Sequence, residues 1–170
     1  MSRLFILEGV DSTGKSTLAR TMSLELQAVY LHASGHRDIH QCMYQHHRNL
    51  LEIAEENLSH GMNVVLDRHW PSERAYGSML RPELQDKYDF EQMQTDVFRL
   101  RGTYIWCCRP NYDLYKVSHE AHDRVSFKHL NSQQYYAIHA NYGTVFERTE
   151  HVKYDVASDG LDLEKYIKNL

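Results

Sequence analysis

Short apolar runs punctuate the chain, each separated from the next by a stretch patterned for a helix. Leu4-Phe5-Ile6-Leu7 comes first and is unbroken, as expected of a strand covered on both faces. Val29 to Leu31, Asn63 to Asp67, Thr103 to Cys108 and Glu150 to Val156 follow as further strands. Thr17 to Ala28 is good helix material. Ile39 to Ser59 sets Met43, His47, Leu50, Leu51, Ala54 and Leu58 at three- and four-residue steps, one buried helix stripe, and Gly61 is its natural stop. Ser72 opens a helix towards Leu80, which Arg81-Pro82-Glu83 interrupts. Asp89 to Leu100 repeats the helical spacing with Phe90, Met93, Val97 and Leu100, and Ser132 to Tyr142 and Leu161 to Leu170 complete the series. Strands alternating with helices of crossover length predict an α/β fold, a parallel sheet of about five strands with helices on both faces. No repeat, low-complexity tract or linker divides residues 1–170, so a single domain is expected.

Chemistry enters directly after the first strand. Gly9-Val10-Asp11-Ser12-Thr13-Gly14-Lys15-Ser16, followed by Thr17, fits the G-x-x-x-x-G-K-[ST] pattern of a nucleotide-binding phosphate loop. Its glycines let the backbone curl so that successive amides face a phosphate, and a helix starting near Lys15 points its positive end there. Lys15 would reach the β- and γ-phosphates, and the Ser16 hydroxyl would hold Mg²⁺. An isolated match can be accidental; one placed between an apolar strand and a helix is specific.

The strand ending at Asp67-Arg68 offers a second chemical edge, since ligands of open α/β sheets bind at the carboxyl ends of strands. Asp67 can serve an Mg²⁺-bound water and Arg68 a phosphate. Arg48 and Arg74 are further candidates for gripping an anion, with a solvated surface role as the competing reading for Arg48. The charged segment within 109–128, carrying Lys116, Arg124 and Lys128, reads either as a solvated helix or as a lid that brings positive charge to a transferring group.

Composition narrows the setting. A formal net charge of −4 with a pI near 6.3 gives no general nucleic-acid surface. No apolar run approaches the about 18 residues of a membrane span, and no leader segment is evident, so a cytoplasmic protein is expected. The three cysteines read as reduced thiols, and the 12 histidines lack ligand spacing.

Two segments resemble the thymidylate kinase family, and more broadly the deoxynucleotide and deoxynucleoside kinases. Glu8-Gly9-Val10-Asp11 through Thr17 follows that family's E-G-x-D-x-x-G-K-S-T. Asp67-Arg68-His69, then Ser72 and Ala75-Tyr76, resembles D-R-[YH]-x-x-S-x-x-A-Y. The resemblance implies a P-loop kinase fold, ATP and Mg²⁺ as cofactors, nucleotide substrates and a homodimer. It also implies that Asp11 meets the acceptor's 3′-hydroxyl, that Arg68, with Arg74 or Arg48, grips its phosphate, that Tyr76 lies in the substrate site and that Asp67 organises Mg²⁺. With no basic residue at Ser12 or Thr13, the family's catalytic arginine falls to the lid, with Arg124 ahead of Lys116 and Lys128. The R-E-P-G segment usual after the second strand is replaced by Ala33-Ser34-Gly35-His36-Arg37, and the chain is shorter than most members, as a compact viral form would be.

These features imply transfer of the ATP γ-phosphoryl group to dTMP or a related deoxynucleoside monophosphate. A monophosphate is already ionised near neutral pH and needs little help from a base. The alternatives are a deoxynucleoside kinase, whose usual glutamate after the second strand is absent here while His32 and His36 stand nearby, and a phosphate-loop binding protein without turnover.

Overall fold

A computed structural model describes residues 2–33, 43–121 and 130–170. Five parallel strands form one sheet in the order β2-β3-β1-β4-β5: β1 Leu4–Glu8, β2 Val29–His32, β3 Val64–Asp67, β4 Thr103–Cys107 and β5 His151–Tyr154. The helices are α1 Lys15–Glu25, α2 Met43–Ser59, α3 Trp70–Leu80, α4 Phe90–Arg99, α5 Tyr112–Ala121, α6 Ser132–Phe146 and α7 Leu163–Lys168.

Strand alternation sorts the core into two halves. Leu4 and Ile6 of β1, with Val64 and Leu66 of β3, pack against Leu50 and Ala54 of α2, Ala75 of α3, Met93 of α4 and Ile138 and Tyr142 of α6. Phe5 and Leu7, with Val65 and Ile105, pack against Leu18, Ala19 and Met22 of α1 and Ile167 of α7. Both faces of the central strands are therefore dry, which is why they read as continuous apolar runs.

Most element positions match the sequence reading, and the differences have local causes. Helix α3 begins at Trp70, two residues before Ser72, because Pro71 presets the first turn and the Ser72 hydroxyl donates to Glu8 instead of capping. Pro82–Lys87 is a 3-10 helix and not a plain interruption. Helix α6 runs past Tyr142 to Phe146, which joins the core, and it starts with a reciprocal Asn131–Gln134 capping box. The last helix begins at Leu163, after a 3-10 turn over Asp159–Leu161. Residues 39–42 of the second predicted helix lie outside the described residues. Among the described residues, no helix is long and apolar enough to cross a membrane. Cys107 is buried and Cys108 half-buried, and both are free thiols.

The phosphate loop leaves β1 through a close approach to β4. Gly9 adopts φ 141°, and a Cβ there would lie 2.4 Å from the Cys107 carbonyl oxygen. That neighbour is backbone at the end of a central strand, so it cannot step aside cheaply. Gly9→Ala should lower the unfolding free energy by more than about 2 kcal/mol, from backbone strain and overpacking together. Urea unfolding followed by circular dichroism checks this, and an unchanged midpoint contradicts it.

Candidate active site

The two faces of the sheet also sort the polar groups at its carboxyl edge. Glu8 falls in phase with Leu4 and Ile6, so it points towards α3 and α6; Asp67 falls in phase with Val65, so it points towards α1. Both are fully buried. The adjacent phosphate loop departs from ordinary backbone at Gly9, at Ser12 (φ 63°) and at Gly14 (φ 82°). Gly14 caps α1 without a side-chain hydrogen bond, which leaves the first-turn amides at the helix's positive end uncapped by that residue.

Within the loop, the Thr13 hydroxyl and the Lys15 ammonium each donate to the Val10 carbonyl at 2.8 Å. Burial, reinforced by the charge of Arg68, pushes the Lys15 pKa down to about 8, although Asp11 pulls the other way. An anion held in the loop would relieve that desolvated charge.

Asp67 has two unlike oxygens. Oδ2 accepts from Ser16 Oγ at 3.1 Å and Tyr30 Oη at 3.0 Å, and His32 Nδ1 lies 3.4 Å away. Tyr30 and His32 reach it because β2 pairs with β3 in the register His32↔Asp67, which places both on the α1 face. Oδ1 is buried without a hydrogen-bond partner. Burial alone would raise the Asp67 pKa, but the His32 contact and the charges of Arg68 and Lys15 outweigh it and hold the carboxyl well below its ordinary value. An ionised carboxylate with one unsatisfied oxygen, beside a serine hydroxyl, is an oxygen donor set that suits Mg²⁺.

Arg68 follows Asp67 in a left-handed conformation, φ 74°, with its amide donating to Leu7 O at 3.0 Å. Its Nη1 donates to Ser72 Oγ at 3.0 Å and to Tyr142 Oη at 3.2 Å, its Nη2 pairs with the Asp11 carboxylate, and its guanidinium lies over the Tyr76 ring at 5.2 Å. Behind it, Glu8 accepts from the His69 amide at 2.5 Å and from Ser72 Oγ at 2.6 Å. Two tyrosines fix the backbone of Asp11. Its amide donates to Tyr76 Oη at 3.1 Å, and its carbonyl accepts from Tyr135 Oη at 2.6 Å. Tyr135 Oη in turn accepts from the Asn111 amide at 3.0 Å, which ties the start of α5 to the phosphate loop.

The fold thus gathers Gly9, Asp11, Ser12, Thr13, Gly14, Lys15, Ser16, Asp67, Arg68 and Tyr76 at one edge, with Thr17 exposed on the first turn of α1. It does not bring Arg48 or Arg74 to this cluster. Arg48 is exposed and lines a shallow groove with Glu55, Asp96 and Arg99 between α2 and α4. Arg74 is exposed on α3, with its guanidinium 5.1 Å over the Phe90 ring. Lys116 is exposed on α5, while Arg124, Lys128 and His36 lie outside the described residues. Glu8, Tyr30, His32, Ser72, Tyr135 and Tyr142 are site residues that sequence reasoning did not single out as such. Glu8 and Ser72 stood inside the two matched segments; Tyr135 and Tyr142 carried no signal beyond helical spacing.

No protein-family model matches the chain, and no curated protein matches it by sequence. Solved structures do. YorR from Bacillus subtilis, in complex with phosphorylated GDP, superposes with a TM-score of 0.66 at 17% identity, over 98% of this chain and 92% of that one. Deoxyadenosine kinase from M. mycoides gives 0.61 with bound dCTP and 0.60 with bound dATP, each at 14% identity and over 97% of that chain. The architecture is the P-loop kinase fold. The narrower likeness to thymidylate kinases rests on the two sequence segments alone.

Burial pushes the Glu8 pKa up from 4.5 to about 7, against the opposing effects of the Ser72 hydrogen bond, Arg68, the His69 amide and Lys15. A carboxyl with a higher pKa folded than unfolded favours folding least when it is ionised. Its contribution is therefore full below about 4.5 and is lost as the pH rises to about 7, roughly 3 kcal/mol in all. Glu8→Gln should flatten this part of the stability profile and be at least as stable as wild type at pH 8. Unfolding free energies measured from pH 5 to 8 test this, and parallel profiles for the two proteins contradict it.

Proposed function

We propose that the protein is an ATP-dependent nucleotide kinase that transfers the γ-phosphoryl group of ATP to the phosphate of a deoxynucleoside 5′-monophosphate. The observation that carries this reading is Arg68. Beside the phosphate loop, a half-buried guanidinium is held in place on its Nη1 side by two hydroxyls, while its Nη2 faces a carboxylate that an acceptor phosphate can replace. The kinase fold, and the nucleotides bound by the structures that share it, support the broader reading of a nucleotide kinase.

In this reading the loop amides and Lys15 hold the β- and γ-phosphates of ATP. Ser16 and Asp67 hold Mg²⁺, which supplies charge neutralisation on the phosphate oxygens. The Ser16 hydroxyl donates to Asp67 Oδ2 and Asp67 Oδ1 has no hydrogen-bond partner, so these two residues would have oxygens to offer the ion or its waters. Arg68 holds the acceptor phosphate in line with the γ-phosphoryl group. Asp11, released from Arg68, meets the sugar hydroxyl, and Tyr76 closes the same side. Most of the rate enhancement comes from placement and charge, because an ionised phosphate needs no strong base.

Phosphorylation of a deoxynucleoside hydroxyl is the second reading, favoured by the likeness to deoxyadenosine kinase. It leaves the fixed Arg68 guanidinium without an acceptor phosphate to bind, so the monophosphate is preferred.

An ATP/Mg²⁺ assay across the deoxynucleosides and their 5′-monophosphates, with products separated by chromatography, tests the assignment. Diphosphate is expected from one or more monophosphates; monophosphate formed from a nucleoside would favour the second reading. Arg68→Ala should raise the acceptor KM by about 10- to 100-fold, the worth of a charged hydrogen bond. Lys15→Ala should lower kcat by roughly 10²-fold or more. Wild-type acceptor kinetics in Arg68→Ala would remove Arg68 from the acceptor site.

A further inference from the structure

Glu8 is a carboxyl that the proposed transfer does not use, yet it is among the most completely enclosed groups in the molecule. A strand end packed this tightly would ordinarily carry an apolar residue, since an enclosed carboxylate must find its hydrogen bonds within the protein. Both partners of Glu8 come from the turn that carries Arg68 and the first turn of α3 that follows it. Oε1 accepts the His69 amide, one residue beyond Arg68, and Oε2 accepts the Ser72 hydroxyl, which itself accepts from Arg68 Nη1.

We infer that Glu8 is a positioning residue, setting the Arg68 guanidinium in the acceptor-phosphate site through Ser72 and the His69 amide. The assignment rests on the reading proposed above, in which Arg68 grips that phosphate.

Counting hydrogens supports the direction of the relay. Ser72 has a single hydroxyl hydrogen and gives it to Glu8 Oε2. Across the 2.7 Å contact between Tyr142 Oη and Ser72 Oγ, Tyr142 must then be the donor. The chain Tyr142–OH, Ser72–OH, Glu8 carboxylate therefore runs one way, and its two hydroxyl oxygens both turn lone pairs to Arg68 Nη1. A neutral carboxyl would have to place a hydrogen of its own. If it donated that hydrogen to Ser72, Ser72 would turn to Tyr142, and the Tyr142 hydrogen would lose its acceptor in this set. The ionised carboxylate is thus the form in which every hydroxyl hydrogen of this set is bonded while both hydroxyl oxygens accept from Arg68.

The groups facing Glu8 fix what titrates with it. Arg68 and the His69 amide come from the turn after β3, Lys15 from the start of α1, Tyr104 and Cys107 from β4, and Tyr142 from α6. Burial raises the pKa values of the two tyrosines and the thiol, so they stay neutral near pH 7, leaving Arg68 and Lys15 as the charges opposing Glu8. With the Glu8 pKa near 7, acceptor capture weakens as the pH falls through that region.

The test measures kcat/KM for the best deoxynucleoside monophosphate between pH 5.5 and 8.5 in wild type, Glu8→Gln and Ser72→Ala, together with the KM for ATP and the unfolding midpoint. The inference expects both variants to lose tenfold or more in acceptor kcat/KM at pH 8, through KM, with the KM for ATP within about twofold of wild type. It also expects Glu8→Gln to lose the ionisation near 7 while keeping the substrate's own near 6, with no loss of stability at pH 8. A purely structural role predicts the reverse, a less stable variant with both substrates bound more weakly, and that result overturns the inference. So does Glu8→Gln with the wild-type acceptor KM and pH profile; if that variant does not fold, Ser72→Ala with an unchanged acceptor KM decides against it. Wild-type protein that phosphorylates no monophosphate overturns the monophosphate-kinase reading and the role of Glu8 with it, whereas active wild type with unaffected variants overturns the role of Glu8 alone.

Discussion

A carboxylate at the end of a strand covered on both faces must be satisfied by the protein, because water cannot reach it. Glu8 at the end of β1 and Asp67 at the end of β3 stand in that position on neighbouring strands, and they point to opposite faces of the sheet. The enclosure of the sheet edge therefore dictates much of what surrounds it. Asp67 is met by the serine of the phosphate loop and by two residues of β2, while Glu8 is met by an amide and a hydroxyl from the start of α3. Each carboxylate organises one half of the candidate site, one under α1 and the other under α3 and α6.

Arg68 lies where these halves meet. The chain turns there in a left-handed conformation that non-glycine residues adopt at a cost, and it is pinned on both sides, by Leu7 O on its own amide and by Glu8 on the next. Strain at a functional turn persists only where the surroundings over-determine the backbone, and these two strand-end contacts do so. The phosphate loop has a comparable support in Tyr76 and Tyr135, which hold the amide and the carbonyl of Asp11 from opposite directions.

The sheet, the phosphate loop and the Asp67-Arg68 pair were legible in the sequence because their signals are local: a run of four apolar residues, an eight-residue motif, a charged pair closing a strand. The placement of Arg48 was also legible in principle. It follows His47 in a helix whose buried stripe runs through His47, Leu50, Leu51 and Ala54, and its phase turns it outwards towards α4. Arg74 shares the Trp70 side of α3, where both meet Phe90, while Ser72 and Tyr76 occupy the side that meets Arg68. The contributions of α6 could not be read in this way. Tyr142 meets a residue 70 positions away and Tyr135 one 124 positions away, and helical periodicity marks both only as core. Glu8 was hidden differently, as a charged residue at the end of an apolar run, where strand alternation buries it as surely as Ile6.

The ion pair between Arg68 and Asp11 has a consequence for selectivity. Because the carboxylate is part of the same chain, it competes for the guanidinium at a high effective concentration whatever the surrounding solution contains. A small free anion such as inorganic phosphate must displace it with no other contact to compensate. In the reading proposed above, a nucleotide would displace it with one end while offering a sugar hydroxyl to the carboxylate it has freed, so Asp11 would change partner and not be left stranded. Under the proposed reading, the pair acts as a filter that leaves Arg68 shielded from ambient phosphate and open to a ligand carrying both groups at the right separation.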